Sequence, residues 1–256
     1  MSIFSKMKNG LINLYLAPLQ KNYALGLSSR NRIFMYQAHL IGLLFSLRKI
    51  NHDKLKGLIL DIGCHRGGTS GFFAKHFKGL RIIGFEPNKE AFENAKQNFH
   101  SYSNLQFENI AVSDMDGVGD LFKTKNEVSS SLNKINNNFE FSAINKEQVT
   151  IQRLDTYMER TGLTNEKILA LKIDVQGHEL NVLRGAEKSL PGILFILLEM
   201  SNHDDYEGGT KYFEADAYLR SKDFVLQNIF TSFSTGQMYE YDAIYMNGQM
   251  SKIYFE

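Results

Sequence analysis

The sequence predicts an α/β fold: a seven-stranded, mostly parallel sheet with helices on both faces, preceded by an N-terminal helical extension. Three observations carry this expectation. From Gly57 onward, short apolar runs alternate with stretches of helical period, as strands buried on both faces require. The first run, Leu58-Ile-Leu-Asp-Ile-Gly63-Cys-His-Arg-Gly67-Gly-Thr-Ser70, passes through a glycine-rich loop into a helix, the strand–loop–helix unit of nucleoside-binding sheets. The last two runs are joined only by residues 231–238, too short a connection for a crossover helix, so one strand is antiparallel.

Along the chain, residues 1–56 read as helices, because Ile33, Phe34, Tyr36, Leu40, Leu43, Leu44 and Leu47 recur at three- and four-residue spacing. They form an appendage to the domain expected over 57–256. Strands are predicted at 58–62, 81–85, 105–112, 168–175, 193–200, 224–230 and 239–246. Helices are predicted at 70–77, 90–99, 154–160, 178–190 and 212–221. The segment 114–150 fits neither period and is rich in Asn and Ser, so it reads as an irregular loop insertion, either closing over a site or filling surface. No internal repeat is present.

The chemistry of the first unit rests on charge. A dinucleotide site uses three glycines spaced G-x-G-x-x-G to bring backbone N–H groups to an anionic pyrophosphate. Here the spacing is Gly63-x-x-x-Gly67-Gly68, and Asp61 ends the strand. A carboxylate there repels a pyrophosphate and suits a ligand carrying sulfonium and ammonium groups. Ser70 opens the following helix. About twenty residues on, Ile82-Ile-Gly-Phe-Glu86-Pro87 ends the second strand with an acid able to accept from both ribose hydroxyls. The expected ligand is S-adenosylmethionine, with S-adenosylhomocysteine as product. Backbone groups at Ile110 and Ala111 are placed to read an adenine edge.

A second cluster follows the fourth predicted strand: Leu171-Lys-Ile-Asp174-Val-Gln-Gly177-His178-Glu179. Ligands of open α/β sheets lie at the carboxyl ends of strands near the topological switch point, so Asp174 belongs in the crevice with Gly63 and Glu86. Methyl transfer to a hydroxyl needs alignment and removal of a proton, for which Asp174, His178 and Glu199 are the candidates, His178 as a base suited to near-neutral pH. The same three residues supply oxygen and nitrogen ligands, so a divalent metal is carried as an alternative that the spacing does not require. Tyr206, Tyr212, Phe213, Phe230 and Phe233 offer stacking faces for a sugar, or core.

Composition narrows the partners. With a net charge of +1, the chain lacks the cationic surplus of a general nucleic-acid binder. One cysteine, Cys64, precludes an internal disulfide and fits a reducing cytoplasm; inside the glycine loop it reads as a small packed side chain. The apolar run at 40–47 is far short of the roughly 20 residues needed to span a bilayer, which leaves only weak surface attachment through the N-terminal segment. Oligomeric state is not legible.

Taken together, the motifs resemble the FkbM family of S-adenosylmethionine-dependent methyltransferases. The resemblance lies in Asp61-Ile-Gly-Cys-His-Arg-Gly-Gly-Thr-Ser70, Phe85-Glu-Pro87, Asn109-Ile-Ala-Val-Ser113, Arg153-Leu-Asp-Thr-Tyr157, Leu171-Lys-Ile-Asp-Val-Gln-Gly-His-Glu179, Val182-Leu-Arg-Gly-Ala186 and Glu199. It implies a Rossmann-like methyltransferase sheet and O-methylation of a hydroxyl on a sugar, glycan or related metabolite, in a setting such as polysaccharide biosynthesis. It also implies that Ser129–Ser131, with Ser130 at the centre, lie near the cofactor. Two departures stand out: His65 replaces a frequent Asn, which alters a contact to the methionine portion, and Gln176 replaces a frequent Glu. A nicotinamide-dependent oxidoreductase and a non-catalytic cofactor-binding protein remain the competing readings.

Overall fold

The computed structural model describes residues 38–124, 129–136, 143–202, 204–231 and 240–255. Its elements run α1 (Ala38–Leu47), β1 (Leu58–Ile62), α2 (Gly68–His76), β2 (Arg81–Phe85), α3 (Lys89–Asn98), β3 (Leu105–Glu108), β4 (Ala111–Val112), β5 (Gly117–Thr124) and β6 (Ala143–Gln152). They continue through α4 (Leu154–Arg160), β7 (Ile168–Ile173), α5 (Glu179–Gly185), β8 (Ile193–Ser201), α6 (Tyr212–Ser221), β9 (Phe224–Thr231), β10 (Glu240–Asn247) and α7 (Gly248–Phe255). Of the predicted extension, α1 is described and packs against β8, β9 and β10; Ile33, Phe34 and Tyr36 lie outside the described residues, as do 232–239 in the last connection, with Phe233.

Seven strands form the central sheet in the order β3-β2-β1-β7-β8-β10-β9. β10 is antiparallel to both β8 and β9, and the other pairings are parallel. This is the mostly parallel, helix-covered sheet that the sequence predicts. Every residue of β1 and β7 is buried, which is why these strands read as continuous apolar runs rather than alternating ones. The two faces carry separate cores. Leu58, Leu60 and Ile62 pack with Tyr157, Val182, Leu183 and Leu219 of α4, α5 and α6. On the other face Ile59 joins Leu43, Phe73 and Tyr254 of α1, α2 and α7.

Helix starts are set locally. Asn88 is extended, and its Oδ1 accepts from the N–H groups of Glu90 at 3.1 Å and Ala91 at 3.4 Å, capping α3. Thr210 Oγ1 accepts from Leu180 N at 3.0 Å in the first turn of α5.

Three expectations are corrected. The strand predicted at 105–112 is two strands in different sheets: β3 pairs with β2, whereas β4 pairs with β6. Asn109 makes the break, its Nδ2 donating to the carbonyls of Glu86 at 2.8 Å and Pro87 at 3.0 Å, which pins the chain across the end of β2. The segment 114–150 is not an irregular insertion: β5 and β6 pair antiparallel within it and form a small sheet, β4-β6-β5. Residues 125–128 and 137–142 within it lie outside the described residues. The helix predicted at 178–190 ends at Gly185, where a Cβ would stand 1.8 Å from the Ser113 carbonyl oxygen. The helix end abuts the exit of β4 there, and a short 3-10 turn, Leu190–Gly192, leads into β8.

Candidate active site

A cavity of about 780 Å3 opens at the carboxyl ends of β1, β2, β7 and β8, with the small sheet as a wall. Among the predicted cofactor residues, Gly63, His65, Glu86, Pro87, Ile110, Ala111 and Ser130 line it, as do Asp174, His178 and Glu199. Asp61, Gly67 and Ser70 do not.

The displacement of Asp61 follows from strand alternation. Ile59 and Asp61 face α2, so the Asp61 carboxylate lies fully buried beneath the glycine loop. Ser70 donates to its Oδ2 at 2.6 Å, while Oδ1 has no hydrogen-bond partner and lies 3.6 Å from the ammonium of Lys172. Burial pushes its pKa above the usual value. The carboxylates facing the cavity are instead Glu86, Asp174 and Glu199. The loop above Asp61 is close-packed: Gly63 has φ 78, and a Cβ there would stand 1.9 Å from the Asp174 carbonyl oxygen.

Glu86 is 7% exposed at the end of β2. Its Oε2 accepts from His65 N and its Oε1 from Asn88 N, each at 2.8 Å. Each carboxylate oxygen keeps a second acceptor site, so a pair of adjacent hydroxyls can be met by one side chain. Burial raises its pKa to about 7 against the opposing pull of those two N–H groups. Beside it Ile110, Ala111 and Leu121 give an apolar lining.

The second cluster is built around Lys172, a buried cation in the fully buried strand β7. Lys172 Nζ lies 2.8 Å from Asp174 Oδ2 and 3.4 Å from the Gly63 carbonyl. Burial raises the Asp174 pKa, but the Lys172 charge and the hydrogen bonds donated by Lys172 and Gln176 outweigh it and hold it at about 2. The Gln176 amide Nε2 donates to Asp174 Oδ1 at 3.0 Å and to Glu199 Oε2 at 2.5 Å.

Residues 129–136 form a strap across this end. Ser131 Oγ donates to the Gln176 carbonyl at 2.7 Å and Asn133 Nδ2 to the Gly177 carbonyl at 3.0 Å. Bridges from Ser131 to Phe122 and from Ile135 to Tyr206 tie the strap to β5 and to the loop after β8.

His178 does not fill the role of a base tuned near neutral pH. Its Nδ1 meets Asn133 Oδ1 at 2.7 Å and its Nε2 meets Ser113 Oγ at 2.8 Å. Both nitrogens are engaged, and burial, only partly opposed by Asp114, lowers its pKa to about 4. The neutral ring, with Nδ1–H donating to Asn133, ties the strap to the end of β4. Because the folded pKa lies below the unfolded value, this contribution is complete above pH 6.5 and is lost as pH falls toward 4. The wild type is therefore expected to lose up to about 3 kcal/mol across that window in urea unfolding, and a His178→Asn chain to lose correspondingly less. Parallel pH profiles would refute the assignment.

The same contacts engage the three residues carried as metal ligands. Among the described residues no three of His, Cys, Asp and Glu gather as a metal site. His178 turns to Ser113 and Asn133 while Asp174 and Glu199 share Gln176. Cys64 is buried, and burial pushes its thiol well above the usual pKa, as suits a packed side chain.

Lys172, Asn133 and Ser113 escaped the sequence reading as site residues, and Tyr206 entered it only as a stacking face, not as a partner of Gln176. Lys172 carried a signal: a lysine in a strand covered on both faces must meet carboxylates. The residues present fit S-adenosylmethionine through Glu86 for a ribose, the apolar lining at Ile110 and Ala111 for a flat ring, and the Asp174 and Glu199 carboxylates for positive charge. Among the described residues, no helix is long and apolar enough to cross a membrane.

Comparison with known proteins agrees. The chain is 28% identical over 167 residues to the 2-O-methyltransferase NoeI of Sinorhizobium fredii (strain NBRC 101917 / NGR234), covering 61% of this chain and 68% of that protein. Its fold is similar to the crystal structure of magnesium protoporphyrin IX methyltransferase (ChlM) from Synechocystis PCC 6803 with bound SAM. The TM-score is 0.50 at 13% identity, over 93% of this chain and 96% of that one. The model of the methyltransferase FkbM domain matches residues 61–226, and the chain belongs to the FkbM family of methyltransferases.

Proposed function

We propose that the chain transfers a methyl group from S-adenosylmethionine to a hydroxyl of a sugar, glycan or related small metabolite in the cytoplasm, as a step in polysaccharide assembly. The observation that carries this reading is the pairing of Asp174 and Glu199 in the wall of the cavity that also holds Glu86. Family membership removes the nicotinamide-dependent oxidoreductase, and the relative's name as a 2-O-methyltransferase supports oxygen as the acceptor atom.

S-adenosylmethionine supplies, when bound, a methyl carbon activated by sulfonium charge. The residues of the chain do the rest. Glu86 accepts from the ribose hydroxyls, Gly63 and His65 border the methionine portion, and Pro87, Ile110, Ala111 and Ser130 enclose the base. Asp174 accepts the hydrogen bond of the acceptor hydroxyl, aims its oxygen, and takes its proton as the new bond forms. With a pKa of about 2, Asp174 is a carboxylate at every working pH. It is a weak base in the ground state and becomes effective as the hydroxyl grows acidic on the way to the ether.

The test is titration of S-adenosylhomocysteine together with a screen for labelled methyl transfer to glycans, nucleotide sugars and small phenols, with and without chelator. Glu86→Gln keeps the side-chain shape and removes the charge, and should weaken S-adenosylhomocysteine binding about 10- to 100-fold. In the wild type, proton and ribose compete for the same oxygens, so affinity should fall as pH drops below about 7, by up to about tenfold per pH unit. The variant should lack that dependence. Saturable binding of a dinucleotide in place of S-adenosylhomocysteine would defeat the reading.

A further inference from the structure

Resting on the methyl-transfer reading above, we propose that Gln176, held by Tyr206, is a positioning residue that keeps Asp174 and Glu199 together as the pair facing the methyl group. The argument starts from a conformation that a glutamine does not choose. Gln176 has φ 56, a left-handed backbone that costs an L residue about 1–2 kcal/mol. It is maintained by Ser131 Oγ donating to the Gln176 carbonyl at 2.7 Å and by Gly177, which follows it at φ 91. The result is an amide aimed back at the end of β7.

Both N–H groups of that amide are used, one on Asp174 Oδ1 at 3.0 Å and one on Glu199 Oε2 at 2.5 Å. Two carboxyl groups this close repel when ionised, and each donor offsets part of that repulsion. The amide has a second orientation, which would turn its carbonyl oxygen onto both acids. The charge of the acids disfavours it, and Tyr206 supports the observed orientation: the hydroxyl donates to Gln176 Oε1 at 2.9 Å and lies 3.1 Å from the Ser129 carbonyl, sharing its one proton between strap and amide. The Tyr206 ring is 8% exposed and rests on Gly177, where a Cβ would stand 2.8 Å from ring atom Cδ2. Tyr206 thus reaches the acids through Gln176, and the neutral amide does what a glutamate at this position could not do without adding a third negative charge.

The readout needs no acceptor. Sinefungin carries an amine where S-adenosylmethionine carries its methyl group, so its affinity relative to S-adenosylhomocysteine reports the negative charge presented there. Calorimetric titration of both ligands into the wild type, Tyr206→Phe, Gln176→Leu and the double variant is expected to give a clear preference for sinefungin in the wild type. That preference should fall about tenfold in each single variant, with S-adenosylhomocysteine binding unchanged within about twofold and the double variant no worse than Gln176→Leu alone. An undiminished preference in the single variants would overturn the proposal, as would additive losses in the double variant or a Tyr206→Phe chain that loses both ligands equally. A wild type that binds neither ligand would overturn the methyl-transfer reading itself, and this proposal with it.

Discussion

Replacing Asp174 by Asn is expected to lower methyl transfer about a hundred- to ten-thousand-fold, the range associated with a positioned acid–base group, while leaving S-adenosylhomocysteine binding within a few-fold. Asparagine keeps the shape and can still accept from Lys172, whose Nζ lies 2.8 Å from the native carboxylate. What it loses is the charge and the capacity to take a proton. Since burial is outweighed by Lys172 and the surrounding donors to hold Asp174 at about 2, the wild-type rate should show no acid limb from this residue above about pH 4. The limb near pH 7 belongs to Glu86. Turnover is measured by labelled methyl transfer to whichever acceptor the screen returns, with ligand titration as control. Full turnover in Asp174→Asn would remove this residue from the chemistry.

Lys172→Met is expected to destabilise the fold by about 3–5 kcal/mol, the cost of stripping one partner from a buried ion cluster. Burial opposes the Lys172 charge, but Asp174 and Asp61 outweigh it and hold the ammonium well above its usual pKa. It is therefore charged throughout the working range. Without it Asp61, fully buried and already raised above 3.8, has only the Ser70 hydroxyl. Its folded pKa then climbs further above the unfolded value, the native state binds a proton that the unfolded chain does not, and stability falls as pH rises through the folded pKa. The deficit relative to wild type should accordingly shrink between pH 8 and pH 5 in urea unfolding. Adding Asp61→Asn should recover part of it. A deficit equal at both pH values would show that Met fails for reasons of packing alone.

Legibility in the sequence tracked apolar density. The inner strands β1, β2, β7 and β8 of the main sheet announced themselves because both faces are covered and side-chain burial is nearly complete. The small sheet did not. Its core is little more than Ala111, Leu121, Val149 and Ile151, and β5 leaves Gly117 and Val118 exposed, so neither period rises above the polar background. At the site, the strand ends were readable and the directions of the side chains were not. Asp61 and Ile62 occupy the same strand end, yet alternation sends one to Ser70 beneath the loop and the other to the cavity. Gln176 looked like a lost carboxylate from sequence alone. Its meaning depends on Tyr206, thirty residues away, and on a backbone angle that no local pattern encodes.

His65 and Gln176 carry left-handed backbones, at φ 48 and φ 56, without being glycines, and both border the same cavity. Glycine at either position would relax the main chain and delete the side chain that reaches inward. Selection for heat resistance and selection for turnover therefore pull against each other at these two places, and a thermostable laboratory descendant carrying glycine at both would be a sturdier container with a blunted tool.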